Sequence, residues 1–251
     1  MMEGMKMATQ GMIALQQQQE IVSNNLANVG TAGFRKDVMD VTSFSQIMDK
    51  QNAKQVGFLQ TSGGMDVEGM LHTSTRTSHS QGSLKMTGSQ FDMALDDNGK
   101  GFFTIQTPNG IRFTRNGAFR LATDGHLVTQ DGSRVLGSKG PVKIDGKSFK
   151  VDDRGIISVD NKEVDRFLIT EFDDPNRLKK EGTNNFAASD GFKISTDFSV
   201  KQGYIEMANV NIVREMVGMM QVMRTFEANQ KVLNAQDGAL KKSVNEVGKT
   251  G

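Results

Sequence analysis

The chain has no cysteine, no tryptophan, one tyrosine and three prolines among its 251 residues. Without cysteine there is no disulfide framework, no thiolate metal site and no cysteine nucleophile. A chain without thiols suits any redox environment, so this absence does not select a compartment. Long apolar runs are missing too, and no membrane-spanning helix is expected. Neither sign of charge is in excess: 30 Lys and Arg stand against 29 Asp and Glu, for a formal net charge of +1. Nothing in that balance would draw the chain to nucleic acid or an anionic membrane. Residues 1–10 carry Glu3 and Lys6 and soon lead into four glutamines, so no cleavable secretory signal is expected.

Chemical motifs are also scarce. His72, His79 and His126 are scattered, with no pair spaced for a metal. Asp96-Asp97-Asn98-Gly99 lacks EF-hand spacing and its distal glutamate, and is expected to be a solvated turn. There is no nucleophile elbow and no Walker loop. The adjacent acids Asp152-Asp153 and Asp173-Asp174 sit beside Gly155 and Pro175, where acids serve as turn formers. Arg35, Lys36, Arg112, Arg115 and Arg120 read as a solvated strand face or a subunit contact, since Arg112 alternates with apolar neighbours. No convergent site emerges, so neither an enzyme nor a bound cofactor or metal is expected.

What the chain does have is a heptad pattern at both ends. Ile212, Met219, Phe226, Leu233, Leu240 and Val247 recur every seventh residue, and Met216, Met223, Gln230, Asp237 and Val244 form a second row four residues behind. Spacings that alternate four and three are the seam of a coiled coil. The segment from about Met207 to Val247 contains no proline, and as one helix it would be ~60 Å long. At the other end, Met5, Ala8, Met12, Leu15, Gln19, Val22, Leu26 and Val29 keep the same period. Two core helices of an ordinary domain would also satisfy the pattern, but the uncapped length favours helices that pack along partners. Sixteen methionines concentrate toward the termini, and these adaptable side chains suit seams that accept more than one neighbour geometry. Gln230 and Asp237 interrupt the seam and are read as register-setting residues. The first helix ends in Ser23-Asn24-Asn25-Leu26-Ala27-Asn28, followed by Gly30 and Gly33 as candidate left-handed caps and Phe34 as an apolar anchor.

The middle is different in kind. Val38–Met48 has mixed periodicity compatible with a short helix, and Gln51–His79 reads as a polar linker. From about Gly82 the pattern is of strands, with Asn109-Gly110, Asn116-Gly117, Asp124-Gly125 and Asp131-Gly132 between them, pairs that favour the positive φ of tight hairpin turns, and Asp145-Gly146 continues the pattern. Phe149–Val159 and Val164–Phe172 read as further strands. The expected fold class is α+β, with N- and C-terminal helices pairing as a coiled coil around a central antiparallel β domain. The expected divisions are 1–36 for the first helix and its loop, 37–81 for the linker, 82–202 for the β domain and 203–251 for the last helix.

Three segments carry a resemblance. Asn24-Asn25-Leu26-Ala27-Asn28-Val29-Gly30-Thr31-Ala32-Gly33-Phe34-Arg35-Lys36-Asp37 resembles the N-terminal signature of the bacterial flagellar rod and hook proteins. Gly203–Val217, followed by Arg224-Thr225-Phe226-Glu227-Ala228-Asn229, resembles the matching C-terminal signature. Gly101-Phe102-Phe103 and Phe113–Phe119 resemble the central sheet segment of that family. The resemblance implies a structural subunit of the flagellar basal-body rod, assembled helically with itself and with other rod and hook subunits into a shaft that transmits torque. It implies passage through the flagellar export apparatus to a periplasmic position without a cleaved signal. It also implies a linker that orders against neighbours. Length and a modest β domain fit rod subunits better than the hook protein, and between proximal and distal rod positions the proximal one is preferred. The assembly seam would be Met5, Met12, Leu15, Val22, Leu26, Ile212, Met216, Met219, Met223, Phe226, Leu233, Leu240, Val244 and Val247. Asn24, Asn25, Asn28, Gly33, Phe34, Asn209 and Asn211 would be signature or subunit contacts. A different class of reading is a soluble coiled-coil adaptor whose β domain binds a ligand.

Overall fold

The computed structural model describes residues 2–43, 71–146, 148–188 and 191–247. Helix α1 spans Met2–Ala27 and helix α2 spans Ile212–Val247, with a central antiparallel β-rich region between them, an α+β arrangement. The chain divides into two units. The first holds the described parts of Met1–Asn24, Asp37–Arg76 and Val213–Gly251; the second holds Asn25–Lys36 and the described parts of Thr77–Ile212.

In the first unit, Asp37–Ser43 pairs with Leu71–Thr77 as a two-stranded sheet. The short helix expected from Val38 is therefore a strand as far as Ser43. Val38, Val41 and Thr42 are β-branched, and pairing with the Thr-rich partner outweighs the local helical spacing. The remainder of that segment, and of the linker between Ser43 and Leu71, lies outside the described residues. Thr73 Oγ1 donates to Gln17 Oε1 of α1 at 2.8 Å.

Along α2 the buried or half-buried side chains are those of Glu215, Met219, Val222, Phe226, Asn229, Leu233 and Gln236, again spaced four and three, with the half-buried Gly218 beside Met219. One expected row, Met219, Phe226 and Leu233, faces inward. The companion inward row is Glu215, Val222, Asn229 and Gln236, one position before Met216, Met223, Gln230 and Asp237, which are exposed. On α1, Ala8, Gly11, Met12, Leu15, Val22, Asn25 and Leu26 are wholly or partly covered, and Gln19 is exposed. The side chains of Met5, Leu240, Val244 and Val247 lie outside the described residues.

The second unit is built around the strand Gly101–Thr107, covered on both faces. It pairs with Gly110–Thr114 on one side. On the other side it pairs with Ile169–Glu171 and Arg134–Gly137. Because side chains alternate across a strand, the adjacent Phe102 and Phe103 enter different clusters. Phe103, with Ile105, Phe119, Leu127, Val135, Phe167, Ile169 and others, forms the larger core. Phe102 joins Phe113, Phe172, Leu178 and Phe186 on the opposite face. Phenylalanine replaces the missing tryptophan as the large core aromatic, with edge-on pairs such as Phe103–Phe119 at 5.1 Å and Phe113–Phe172 at 4.9 Å. A three-stranded sheet, Phe149–Val151, Ile156–Val159 and Lys162–Arg166, packs its Phe149, Ile157 and Val159 into the larger core. Met93–Asp96 pairs with Ser199–Gln202, and Leu84–Met86 with Tyr204–Glu206, so the sheet structure runs on to Glu206.

Three of the five expected turn pairs, at Gly110, Gly125 and Gly132, have positive φ at their glycine; Gly146 lacks it. Gly117 lacks it too; there the chain lies against Met93, whose N–H bonds to the Gly117 carbonyl at 2.9 Å. The strand segment Phe149–Val159, with its turn-forming acids Asp152-Asp153, is two antiparallel strands. Asp152 folds it back by accepting from the N–H groups of Arg154 and Ile156 at 3.0 and 2.8 Å. Asp160-Asn161, both at positive φ, then makes the two-residue turn into Lys162–Arg166.

Candidate functional site

The signature segments meet inside the second unit. α1 ends in turns made by Val29 N–H to Leu26 O and Thr31 N–H to Asn28 O, and Gly33 then takes φ +68°. Gly33 N–H bonds to the Glu206 carbonyl at 2.7 Å. A Cβ at Gly33 would lie 2.4 Å from the backbone carbon of Arg115 and the nitrogen of Asn116. Both the positive φ and the close backbone approach require glycine. Phe34 follows with no exposed surface, and the Lys180 ammonium sits 4.1 Å from its ring centroid. That lysine also donates to the Arg35 carbonyl at 2.8 Å.

Asn209, from the C-terminal signature, ties three segments together. Its Oδ1 accepts from Lys36 N–H at 2.8 Å, and its Nδ2 donates to the carbonyls of Ser78 and Ser80 at 2.8 and 3.0 Å. Its own N–H donates to the Phe34 carbonyl at 3.3 Å. Among the other signature asparagines, Asn25 is buried, Asn28 half-buried, and Asn24 and Asn211 exposed. Asn28 Oδ1 accepts from Thr31 Oγ1 at 3.4 Å.

Beneath this lies a buried chain of four charges. Arg35 Nη1 donates to Glu206 Oε1 at 2.6 Å and to the Ser80 carbonyl at 2.7 Å. Arg115 Nε donates to Glu206 Oε2 at 2.9 Å, and its Nη1 to both oxygens of Asp97 at 2.8 and 3.0 Å and to the Gly101 carbonyl. Glu206 Oε1 also accepts from Gly82 N–H at 2.8 Å, and Asp97 accepts from the N–H groups of Gly99 and Gly101 at 2.9 and 2.6 Å. All four side chains are at most 1% exposed. Two positive and two negative charges alternate, so the cluster is neutral as a whole. Burial pulls Arg35 below the usual guanidinium range; Glu206 opposes this and the nearby Arg115 adds to it. Arg35 Nε and Nη2 have no partner, which leaves its share of the desolvation only partly offset.

Two expectations are corrected here. Arg35 and Arg115 are not on a solvated face or a subunit contact, and although the expected turn forms with Asp96 and Asn98 exposed, the Asp97 side chain is turned inward and buried. Arg115 lies just past the end of the strand Gly110–Thr114, where strand alternation no longer sets its direction. Arg112, inside that strand, does behave as expected and pairs with Glu181 at 2.6 Å. Glu206 was not singled out from the sequence. Its signal was its place within the C-terminal signature, three residues before Asn209.

This cluster has no exposed reactive group and no space for a substrate. Elsewhere, a cleft of about 300 Å³ is lined by Phe172, Asp173, Asp174, Arg177, Leu178, Ala188 and Gly191. Its acids have local duties: Asp173 pairs with Lys193 at 2.7 Å, and Asp174 caps the 3-10 turn Pro175–Arg177 through Asn176 N–H. Among the described residues no group of three or more His, Asp or Glu side chains could hold a metal ion. Among the same residues no helix is long and apolar enough to cross a membrane.

Comparison with known proteins agrees with this geometry segment by segment. Residues 5–35 match the family model described as "Flagella basal body rod protein", residues 98–159 the "Flagellar hook protein FlgE/F/G D1 domain", and residues 201–246 the "Flagellar basal body rod FlgEFG protein C-terminal". These matches contain Arg35, Arg115 and Glu206 respectively. The chain is 32% identical to the flagellar basal-body rod protein FlgG of Buchnera aphidicola (subsp. Baizongia pistaciae), covering 96% of this chain and 98% of that protein. It is 30% identical to the rod protein FlgF of Caulobacter vibrioides over 94% of each chain. It is 29% identical to the hook-basal body complex protein FlhO of Bacillus subtilis, over 99% of this chain and 100% of that protein. From both ends and the middle, the chain belongs to the flagellar basal-body rod protein family.

Proposed function

We propose that the chain is a structural subunit of the basal-body rod that assembles helically with copies of itself and with related rod and hook subunits, and that it carries torque along the shaft. Family membership supports the structural, non-enzymatic role and the place in the basal body. The observation that carries the assembly reading is the outer face of α2. Ile212, Val213, Met216, Val217, Met220 and Met223 are all 45% exposed or more, within the first turns of a helix that also has an inward heptad row. A helix with apolar residues on both faces has more apolar surface than one intramolecular partner can cover.

In this reading α1 and α2 pair through the inward rows as a coiled coil, and the exposed row, with Ile212, Met216 and Met223, meets neighbouring subunits. A Cβ at Gly11 would stand 3.7 Å from Asn229 Nδ2, which supports close approach of the two helices. Identical contacts repeated with a screw rotation give an open helical assembly rather than a closed ring. Fully burying a Met or Val contributes about 1.5–3 kcal/mol, so a stripe of this size suffices to drive association. The exposed Gln230 and Asp237 set register against a neighbour. The subunit reaches a periplasmic position through the flagellar export apparatus and binds no nucleic acid. Helices, linker and β domain are divided near residues 36, 81 and 202.

The test is complementation. A strain lacking this chain regains swimming with the wild-type chain and not with Met216→Glu/Met223→Glu, although that variant folds and accumulates normally. Full swimming with the double variant would overturn the assignment of the stripe.

A further inference from the structure

Three methionines line the exposed face of α2. Met216, Met220 and Met223 fall at i, i+4 and i+7, on one side of the helix, with exposures of 49%, 52% and 49%. Val213 and Val217 flank them, also half exposed or more. Further along the same face come Glu227, Gln230, Lys231 and Asn234, so the apolar stripe ends at Met223. Elsewhere, Met93 is completely buried in the β core, and Met86 is 70% exposed on the strand Leu84–Met86. The chain has no cysteine, so no thiol of its own competes for an oxidant.

We propose that Met216, Met220 and Met223 form a reversible oxidation site that gates association of the subunit. The oxidant class is a peroxide. A thioether lone pair attacks one peroxide oxygen and the O–O bond breaks. The second oxygen departs as hydroxide and takes up the remaining proton. For each methionine, the thioether and hydrogen peroxide give a sulfoxide and water; sulfur loses two electrons and the peroxide gains them. The product is a polar, chiral group with a strong acceptor oxygen and no donor. Set against an apolar neighbour, that oxygen has no partner, and burying it opposes association. In the free subunit the three methionines are about half open to solvent; once neighbours cover the stripe they are shielded. Sensitivity therefore belongs to the subunit before assembly. The two methionine sulfoxide reductases, one for each sulfoxide epimer, restore the thioethers with a dithiol as reductant: the dithiol is oxidised to a disulfide and the sulfoxide oxygen leaves as water.

The proposal rests on the reading of this stripe as the subunit contact, and the test separates the two. Full-length chain is treated with hydrogen peroxide, oxygen addition at each methionine is read by peptide mass spectrometry, and association is read by sedimentation, alone and with related rod subunits. Oxygen is expected at Met216, Met220, Met223 and Met86 but not Met93, with loss of the large species and their return after reductase treatment. The Met216→Leu/Met220→Leu/Met223→Leu variant keeps volume and helix propensity, so it should associate like the wild type and keep doing so after peroxide. Met86→Leu should remain sensitive. Peroxide-sensitive association in the triple-leucine variant, or undiminished association of wild type oxidised at all three sites, would overturn the proposal. Equal oxidation of the stripe in assembled and free protein would overturn the contact reading, and this proposal with it.

Discussion

Glu206 holds both arginines of the buried cluster, and removing it leaves two guanidinium groups in the interior with one carboxylate between them. Breaking a buried pair in this way costs about 3–5 kcal/mol, far more than the pair adds when intact. Glu206→Ala should therefore lower the unfolding free energy by that amount in urea denaturation. Glu163→Ala, on the exposed strand Lys162–Arg166, should change it by less than about 0.5 kcal/mol. Gly33→Ala combines a left-handed backbone with a 2.4 Å approach to the chain at Arg115 and Asn116. Its cost should exceed the ~1–2 kcal/mol of the backbone conformation alone, read in the same experiment. At this scale the amino-acid sequence was partly legible. Gly33, Phe34 and Asn209 stood out because a family signature held them. The charges of Arg35, Arg115 and Asp97 were visible, but their burial was not. A lone sequence places arginine and aspartate in solvent by default, and only partners brought from positions 18 to 171 apart reverse that.

At the scale of elements, period was readable and phase was not. Between Ile212 and Met223 eight of twelve residues are Ile, Val or Met, so the apolar arc is too wide to reveal which line faces in. The inward row runs through Glu215, Asn229 and Gln236, polar residues that no hydrophobicity reading selects. The two faces of α2 should respond differently. Val222, 3% exposed, should tolerate a charge badly: Val222→Asp should lower stability by on the order of 3 kcal/mol and reduce helical circular dichroism. Met223→Asp, one residue on and 49% exposed, should leave the spectrum and the melting curve of the free chain nearly unchanged. Equal losses in both variants would mean that Met223 also packs within the chain. The β turns were legible where Asn-Gly or Asp-Gly supplied positive φ, as at Gly110, Gly125 and Gly132. The reversal at Asp152 was half legible: Asp152-Asp153 beside Gly155 read as turn formers, but the span Phe149–Val159 around them read as strand, and it is the Asp152 side-chain acceptors that fold it back.

At the scale of the whole molecule, the three signature segments are distant in the chain and converge on one buried cluster. A segment cut at Gly82 and Gln202 therefore omits both Arg35 and Glu206. It also loses the pairing of Leu84–Met86 with Tyr204–Glu206. A fragment covering 77–212 regains that strand and Glu206, and should melt at a higher temperature than one covering 82–202 in a circular dichroism scan. Helix α2 presents the complementary case: its outer stripe is exposed among the described residues, and a subunit built for a shaft would finish its packing only with neighbours. Sedimentation velocity of the full chain over a wide concentration range, beside Met216→Glu/Met223→Glu, tests that claim most directly. The account predicts wild-type species that grow with concentration and a variant that stays a single slow species with an unchanged far-UV spectrum. A wild-type chain that forms one small oligomer of fixed size at every concentration, with the double variant forming the same one, would contradict it.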